Sequence, residues 1–430
     1  MRNPKFGAGH AVSRRCGVRR RLGARLATSA AGGLLALTFP AAAWATSPLA
    51  IVSNNSMGAV EWTNSVALNT DTSQICGFSN TGVELCGSDV VPSTLVQQAD
   101  GSSVRVFNFT SLKLDYGVGL TLQGSLPAAI VASGDIVING TVVVNSGLHP
   151  GGHVNASALG ATGGKTGSGN GRYVANCCAA GYDTASGGGG GGKASFGQQG
   201  NPGHIFFTGA DNGVGGLGGV PDSHPAVLSG GGGGGGGQWG TGFATYVDGG
   251  PGGAGGGAAL FETPGNMTIG LTGIIEANGA GGRESNGGPA AAGGGGAGGA
   301  LWFDAGLAWI NQGVITATGG AGASGRTDDP YFGYYGDGGS GSGGEIFVDP
   351  QSITNLGLID VSDGNGGGTN GGHVTLLAPT IVNDGAIVGV ASSAPEPSTW
   401  ALMFAGLGLL GGSLRSRGPA LRLAPQNARR

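Results

Sequence analysis

Aromatic and acidic side chains come together in segment 328–337, which is the first group of residues in this chain that could do chemistry. It holds three of the seven tyrosines, Tyr331, Tyr334 and Tyr335, beside three aspartates. Aromatic faces with hydrogen-bonding groups nearby are what sugar rings need, so these tyrosines are candidate glycan contacts. The alternative is that the same rings pack the loop against the rest of the protein.

Two cysteines, Cys76 and Cys86, have nine residues between them. In an oxidising compartment this spacing favours a disulfide across a β-hairpin. The adjacent pair Cys177 and Cys178 would be strained if the two paired with each other. The sequence therefore predicts one disulfide and leaves the role of the second pair open.

Other candidate ligands do not have the spacing that their chemistry requires. Segment 160–166 is one residue too short between its outer glycines for a phosphate-binding loop. His149 and His153 lack the regular spacing and the third ligand of a zinc site. Asp360 and Asp363 lie near glycines but do not match a calcium-loop pattern, so we expect solvated turn acids. We predict no catalytic residue, cofactor or metal, with calcium left open as an alternative.

The N-terminus has the order of a secretion signal. Eight Lys and Arg residues precede residue 46, an apolar stretch occupies 26–39, and Ala43 and Ala45 form a small-x-small cleavage site. We predict that residues 1–45 are a signal peptide with a helical apolar part. The general export machinery would then move the chain out of the cytoplasm.

The C-terminus combines a short tag, an apolar run and basic residues. Pro395, Glu396 and Pro397 precede the run, and Arg415 and Arg417 follow it. A run of about 17 residues is at the short limit for a transmembrane helix, and the arginines favour a cytoplasmic end. We predict a transmembrane helix within 395–417, a basic cytoplasmic tail at 418–430, and everything before them outside.

This three-part end resembles the PEP-CTERM sorting signal of Gram-negative bacteria. The resemblance covers residues 395–417 and implies that an exosortase recognises the Pro-Glu-Pro tag and removes the membrane segment. The protein would be anchored transiently in the inner membrane and then released to the cell surface or an exopolysaccharide matrix. The chain runs on for thirteen residues past Arg417, where the family usually stops sooner. The alternative is a simple membrane anchor.

Between its two ends the chain is strongly acidic. Residues 46–394 hold seven of the 20 Lys and Arg and 23 of the 24 Asp and Glu, a net charge of about −16. This charge makes nucleic acid an unsuitable partner, whereas extracellular polysaccharide remains a candidate. Seven basic residues supply few charge stabilisers, and we expect no pair of carboxylates to recur on adjacent repeats. We therefore predict that the protein is not an enzyme.

Glycine supplies 99 of the 430 residues and cannot build a core of side chains. A sequence repeat can supply the core of side chains instead. In each repeat a Gly-Gly pair begins a short strand of alternating apolar and polar residues, and a later glycine is followed two residues on by an isoleucine. The pairs are at 256–257, 298–299, 343–344 and 371–372, and the isoleucines are Ile275, Ile315, Ile359 and Ile387.

Units that repeat the same inward residues can bury them only by stacking coil on coil. We predict an all-β fold, a β-solenoid of the right-handed parallel β-helix type, in which the four isoleucines form one column. Glu262, Asp304 and Asp349 close the first strand at equivalent turn positions. The alternative is a β-sandwich with irregular strands.

The composition also divides the exported part. Residues 46–115 have ordinary composition and are predicted to form an N-terminal cap or first strands, followed by first coils at 116–144. A glycine-rich insertion occupies 145–255, and repeats with long glycine-rich lateral loops occupy 256–392. The insertion is either disordered or built from extended chains that bond to one another through their backbones.

Three classes of function fit this organisation. The first is a structural component of the cell surface or of an extracellular biofilm matrix. The second is an adhesin or glycan-binding protein that uses the lateral loops. The third is a polysaccharide lyase or hydrolase, because many β-helices host such enzymes, although a fold alone does not establish an activity.

Overall fold

The structure is a computed structural model that describes most of the body of the chain. The described residues are 49, 51, 53–78, 84–146, 187–204, 211–212, 217–221, 227–237, 240–241, 246–247, 249–284, 291–325, 335–366 and 370–394. All of them belong to one compact unit that begins at Ala45. The predicted signal helix and transmembrane helix lie outside these ranges.

The described residues form strands and no helix, which confirms the all-β prediction. The strands before the glycine-rich insertion are β1 Ala59–Trp62, β2 Val66–Asn69, β3 Gln74–Phe78, β4 Glu84–Val90, β5 Ser93–Gln97, β6 Ser103–Phe109, β7 Ser111–Leu114, β8 Gly119–Gly124, β9 Ala128–Ala132, β10 Ile136–Ile138 and β11 Thr141–Ser146. The insertion holds β12 Gly203–His204, β13 Asp211–Asn212, β14 Gly240–Thr241 and β15 Tyr246–Val247. The later strands are β16 Ala258–Thr263, β17 Met267–Ile269, β18 Ile274–Glu276, β19 Ala300–Asn311, β20 Val314–Thr316, β21 Glu345–Asn355, β22 Leu358–Asp360, β23 His373–Leu377, β24 Thr380–Asn383, β25 Ala386–Val388 and β26 Val390–Ala394.

Parallel pairing joins these strands into three columns. The first column runs through β6, β9, β16, β19, β21, β23 and β26. The second contains β1, β7, β10, β17, the second halves of β19 and β21, and β24. The third contains β2, β8, β11, β18, β20, β22 and β25. At the N-terminal end, β3 and β4 add antiparallel strands to the third column beside β2. Strand β5 adds an antiparallel strand to the first column beside β6.

The four isoleucines of the repeat stand in successive register in the third column, as the sequence predicts. Ile275 pairs with Ile315, Ile315 with Ile359, and Ile359 with Ile387. The first three are fully buried and belong to one continuous core. In the first column Phe261 stacks on Phe303, with ring centroids 5.4 Å apart and planes 14° from parallel. Strand alternation thus places one apolar residue of each repeat above the last.

A ladder of asparagines, which the sequence analysis did not single out, runs along the end of the second column. The Asn311 side-chain amide donates to Asn355 Oδ1 over 2.8 Å, and the Asn355 amide donates to Asn383 Oδ1 over 2.7 Å. Asn311 and Asn355 are fully buried. Because buried amides must be hydrogen-bonded, each asparagine satisfies the next repeat's polar group.

The glycine-rich segments form a second core that we call the glycine bundle. It consists of segments 187–201, 217–221, 230–237, 249–257, 277–284, 291–299, 317–325 and 335–344. Segment 291–299 lies inside it. All eight backbone N–H groups from Ala292 to Gly299 donate to carbonyl oxygens of other segments, over 2.7–3.2 Å. The backbone itself therefore provides the bonds that hold this core together.

These hydrogen bonds repeat every three residues. Residues 292, 295 and 298 donate to segment 335–344, residues 293, 296 and 299 donate to segment 277–284, and residues 294 and 297 donate to segment 230–237. Segment 291–299 also accepts bonds from segments 187–201, 249–257 and 317–325. A period of three is that of polyproline II, whereas a β-strand has a period of two. The central segment is thus bonded to six neighbours.

Close approach explains why these positions are glycine. A Cβ atom added at Gly295 would lie 1.9 Å from the Gly320 carbonyl oxygen, and one added at Gly294 would lie 2.2 Å from that of Gly189. Atoms in proteins do not approach so closely, so any side chain here would push the segments apart. In the described parts of 145–255, the backbones of neighbouring segments are hydrogen-bonded to one another.

Candidate functional site

Three carboxylates stand in register on neighbouring strands of the first column. Glu262 pairs with Asp304, and Asp304 pairs with Asp349, as their equivalent positions in the repeat predict. They lie on the face of the strands opposite the buried Phe261 and Phe303. The expectation that no pair of carboxylates recurs on adjacent repeats is therefore wrong.

Glu262 and Asp304 line a pocket of about 260 Å³. Its other walls come from the N-terminal segment, from the ends of β9 and β16, and from the middle of β19: Ile51, Ser53, Ala132, Ser133, Thr263, Pro264 and Gly306. Glu262 accepts a hydrogen bond from the Ile51 backbone N–H. Its buried Oε2 atom has no hydrogen-bond partner among the residues that the structure describes. The pocket thus brings two carboxyl groups together with residues that precede the first strand.

Burial of the carboxyl group raises the pKa of Glu262 from 4.5 to about 7. The Ile51 N–H opposes this change, because it stabilises the carboxylate, and the nearby Asp304 charge reinforces it. Burial also raises the pKa of Asp304. Since a carboxyl with a pKa near neutrality can donate or accept a proton at physiological pH, the pocket can exchange a proton there.

The candidate disulfide lies in the N-terminal antiparallel strands. Cys76 is buried and disulfide-bonded. Its register partner across the antiparallel pair of β3 and β4 is Cys86. The side chain of Cys86 lies outside the described part of the chain, so the pairing of these two residues stays a prediction.

Of the three candidate glycan contacts, the structure describes Tyr335. Its side chain is 6% exposed and packs against Ala291 of the glycine bundle. A buried ring offers no face to a sugar, so Tyr335 fits the alternative of packing rather than glycan contact. Tyr331 and Tyr334 lie outside the described residues.

The acidic residues near Gly364 make turn contacts. Asp360 Oδ1 accepts the Ser362 N–H over 2.9 Å, and Asp363 Oδ1 accepts the Asn365 N–H over 3.1 Å. Asp363 is 2% exposed, so the expectation of a solvated acid is wrong for this residue. Within the described ranges, no group of three or more His, Cys, Asp or Glu side chains could hold a metal ion.

The remaining sequence-predicted sites lie outside the described ranges. They are the cleavage site at Ala43 and Ala45, the sorting residues Pro395, Glu396, Pro397, Arg415 and Arg417, the pair Cys177 and Cys178, His149 and His153, and segment 160–166. No helix in the described part of the chain is long and apolar enough to cross a membrane.

Comparison with known proteins bears on the C-terminal end. A family model of the PEP-CTERM protein-sorting motif matches residues 393–417, and the match begins inside the last strand, β26. No curated protein and no solved structure was found to match the chain. The motif implies export, transient attachment to the membrane and processing by an exosortase, a membrane enzyme. The chain therefore carries a PEP-CTERM protein-sorting motif at residues 393–417.

Proposed function

We propose that this protein is a non-enzymatic structural component of the bacterial cell surface or extracellular biofilm matrix, released there by an exosortase. Its exported body would be a β-solenoid, a right-handed parallel β-helix, joined to the glycine bundle. The observation that carries the proposal is segment 291–299, whose eight consecutive N–H groups bond to surrounding backbone segments. Such a core resists displacement of any one backbone segment, because moving that segment breaks hydrogen bonds to several neighbouring segments.

The order of the strands supports the solenoid. From β9 onwards the chain visits the first, second and third columns in turn, through β9, β10 and β11 and then β16, β17 and β18. The same order recurs through β19 and β20, then β21 and β22, then β23, β24 and β25. Crossovers between parallel strands are right-handed in about 98% of known cases, which favours the right-handed form.

Complementation of a deletion strain tests the structural role. The strain would carry the wild-type gene, Gly295→Ala or the matched control Gly281→Ala. A Cβ at residue 281 has ordinary contact with its nearest neighbour, the Ala321 oxygen at 3.5 Å, whereas a Cβ at residue 295 collides. Wild type and Gly281→Ala should restore the shear resistance of the matrix, and Gly295→Ala should not. Unchanged cohesion in the deletion strain itself would contradict the proposal.

Processing is tested by mass spectrometry of both termini of the surface-fraction protein. We expect an N-terminus at Thr46 and loss of residues 415–430, because the membrane segment would be cut away with its basic end. A surface protein that retains residues 415–430 would contradict release by an exosortase.

The acidic pocket favours one alternative, a carbohydrate hydrolase or lyase. Two neighbouring carboxylates, one with a pKa of about 7, are groups that glycoside cleavage uses. The assay is release of reducing sugars or unsaturated uronic acids from native matrix polysaccharide. We expect no release above background by wild type. Release that is lost in Glu262→Gln would overturn the non-enzymatic proposal and support the alternative.

A further inference from the structure

The sorting motif begins inside the last strand of the folded body. The family match starts at residue 393, and β26 spans residues 390–394. The last two residues of β26 are in register with the end of β23. Pro395, the first residue of the Pro-Glu-Pro tag, follows β26 directly. No residue therefore separates the folded strand from the tag that an exosortase recognises.

The tag itself gives little room between the body and the membrane. The apolar run begins at Ser398, so residues 395–397 alone connect it to β26. Three extended residues span at most about 11 Å, which is about the diameter of one α-helix with its side chains. Unpairing the five residues of β26 would add about 17 Å to this span. The membrane enzyme thus gains most of its access to the tag when β26 leaves the body.

Cleavage also competes with strand pairing for the same backbone. Proteolysis concentrates where the backbone is exposed and free of structural hydrogen bonds. A protease that acts on a folded protein often cuts the population in which the local segment has opened. Because the first residues of the sorting motif belong to a β ladder, the paired state withholds them from an enzyme.

Strand β26 has the features of a segment that opens locally. Within the described chain it pairs along one side, with β23. Val390 is 57% exposed, and Ala391 and Ser392 are exposed as well. Segments with few buried apolar contacts open at the lowest free energies in a protein. The strand that precedes the tag is therefore among the easiest to detach.

A glycine allows this opening to stay local. Gly389 joins β25 to β26 and has a φ of 126°, and a Cβ at this residue would lie 2.3 Å from the Val361 Cγ2 atom. Glycine reaches a wide range of backbone angles, so β26 can swing away about Gly389. Strand β25 is held separately by its own pairing with β22. Detachment can thus be confined to residues 390–394.

We propose that β26 unpairs from β23 to present the tag to the exosortase, so that opening of this strand controls release of the protein. This inference rests on the proposed processing by an exosortase. In the paired state the body withholds the backbone beside the tag. In the open state residues 390–397 form one extended segment that the membrane enzyme can bind.

A disulfide between the two strands tests the proposal. Thr375 and Ser392 are register partners whose hydroxyl oxygens are 3.4 Å apart, so cysteines at both positions can bond outside the cytoplasm. The double variant Thr375→Cys/Ser392→Cys should be processed at least about tenfold more slowly than wild type. A reductant should restore processing. Mass spectrometry of the full chain in its own host measures precursor and product and verifies the bond.

The matched control is the double variant Thr354→Cys/Val382→Cys. It links β21 to β24 through register partners in the same way and leaves β26 free, so it should be processed like wild type. Wild type treated with the same reductant controls for reduction of the disulfide at Cys76.

A second pair of variants needs no engineered disulfide. The Val390 N–H donates to the Gly372 oxygen over 3.0 Å. Val390→Pro removes this donor and should speed processing by at least about twofold in a pulse-chase experiment, because the open state gains population. Val390→Ala keeps the N–H and should stay close to the wild-type rate.

Processing of the disulfide-bonded protein at the wild-type rate would overturn the proposal. If the bond does not form, an unchanged rate in Val390→Pro overturns it. Equal slowing by the β21–β24 control would do the same, because any cross-link in the body would then block processing. A wild-type surface protein that retains residues 415–430 would instead contradict exosortase release itself, so the two failures are distinguishable.

Discussion

The three columns and the glycine bundle bury their chains by opposite means. In the columns, side chains such as Phe303 fill the space between the strands, and every second residue faces inward. In the bundle there is no room for a side chain at positions such as Gly295, and hydrogen bonds run outward with a period of three. One chain thus holds two cores that tolerate opposite kinds of substitution. Replacing a large side chain with a smaller one should destabilise the columns, and adding a side chain to a glycine should destabilise the glycine bundle.

The largest effect should come from truncation in the columns. Phe303 is fully buried between Phe261 and Trp309. Phe303→Ala should lower the free energy of unfolding in urea by about 3–5 kcal/mol, because it leaves a cavity. Leu307→Ala on the same strand is the control, since Leu307 is 49% exposed, and its cost should stay within about 0.5 kcal/mol. Equal costs for the two variants would mean that the column core is not packed as described.

Enlargement in the bundle should come next. Gly295→Ala places a Cβ 1.9 Å from the Gly320 oxygen and should cost about 3 kcal/mol, through overpacking and lost hydrogen bonds. Gly281→Ala meets ordinary contact and should be neutral or slightly stabilising, because alanine loses less backbone entropy on folding. Urea denaturation of both variants measures the difference. If both alanines are tolerated, close backbone packing is not what selects glycine here.

The asparagine ladder is a chain of hydrogen-bonded polar side chains inside the side-chain core of the columns. Asn355→Ala removes one acceptor and one donor, and it strands the buried Asn311 amide, so it should cost about 1–3 kcal/mol. Asn383→Ala removes the acceptor of the Asn355 amide, but residue 383 is exposed and water can reach that end of the ladder, so this variant should cost less than Asn355→Ala. The same denaturation assay separates them. Equal costs would show that the ladder does not act through burial.

The smallest effect should be a dependence on pH. The folded-state pKa of Glu262 is raised from 4.5 to about 7, so its protonated form stabilises the fold. This contribution is complete below pH 4.5 and is lost as the pH rises through about 7. Glu262→Gln cannot ionise and should exceed wild type in stability at about pH 8 by about 1 kcal/mol, after allowance for solvent screening. A gap between the two proteins that does not change with pH would contradict this assignment.

The columns were predictable because their pattern is local and repeated. The constant spacing from the repeat glycines predicts the register of Ile275, Ile315, Ile359 and Ile387. The equivalent positions of Glu262 and Asp304 in the repeat predict that these two residues pair. The asparagine ladder has a similar local pattern in the sequence. Its members stand two residues before Gly313, Gly357 and Gly385.

The bundle and the pocket were less predictable for physical reasons. A run of glycines has no side-chain pattern. Its sequence therefore indicates neither the period of its backbone hydrogen bonds nor the segments to which it is bonded. The pocket needs Ile51 beside Glu262, but strands β1 to β15 and the whole glycine-rich insertion lie between these residues in the sequence, so no local spacing indicates that contact. Long-range packing alone brings them together.

Amide hydrogen exchange, resolved residue by residue across Ala292 to Gly299, tests the hydrogen bonding of the glycine bundle. Because all eight N–H groups are bonded to other segments, we expect eight consecutive protected amides, with exchange far slower than in an unfolded chain. Protection of alternate amides would indicate an ordinary edge strand. Exchange at the unfolded rate throughout the segment would contradict the glycine bundle itself.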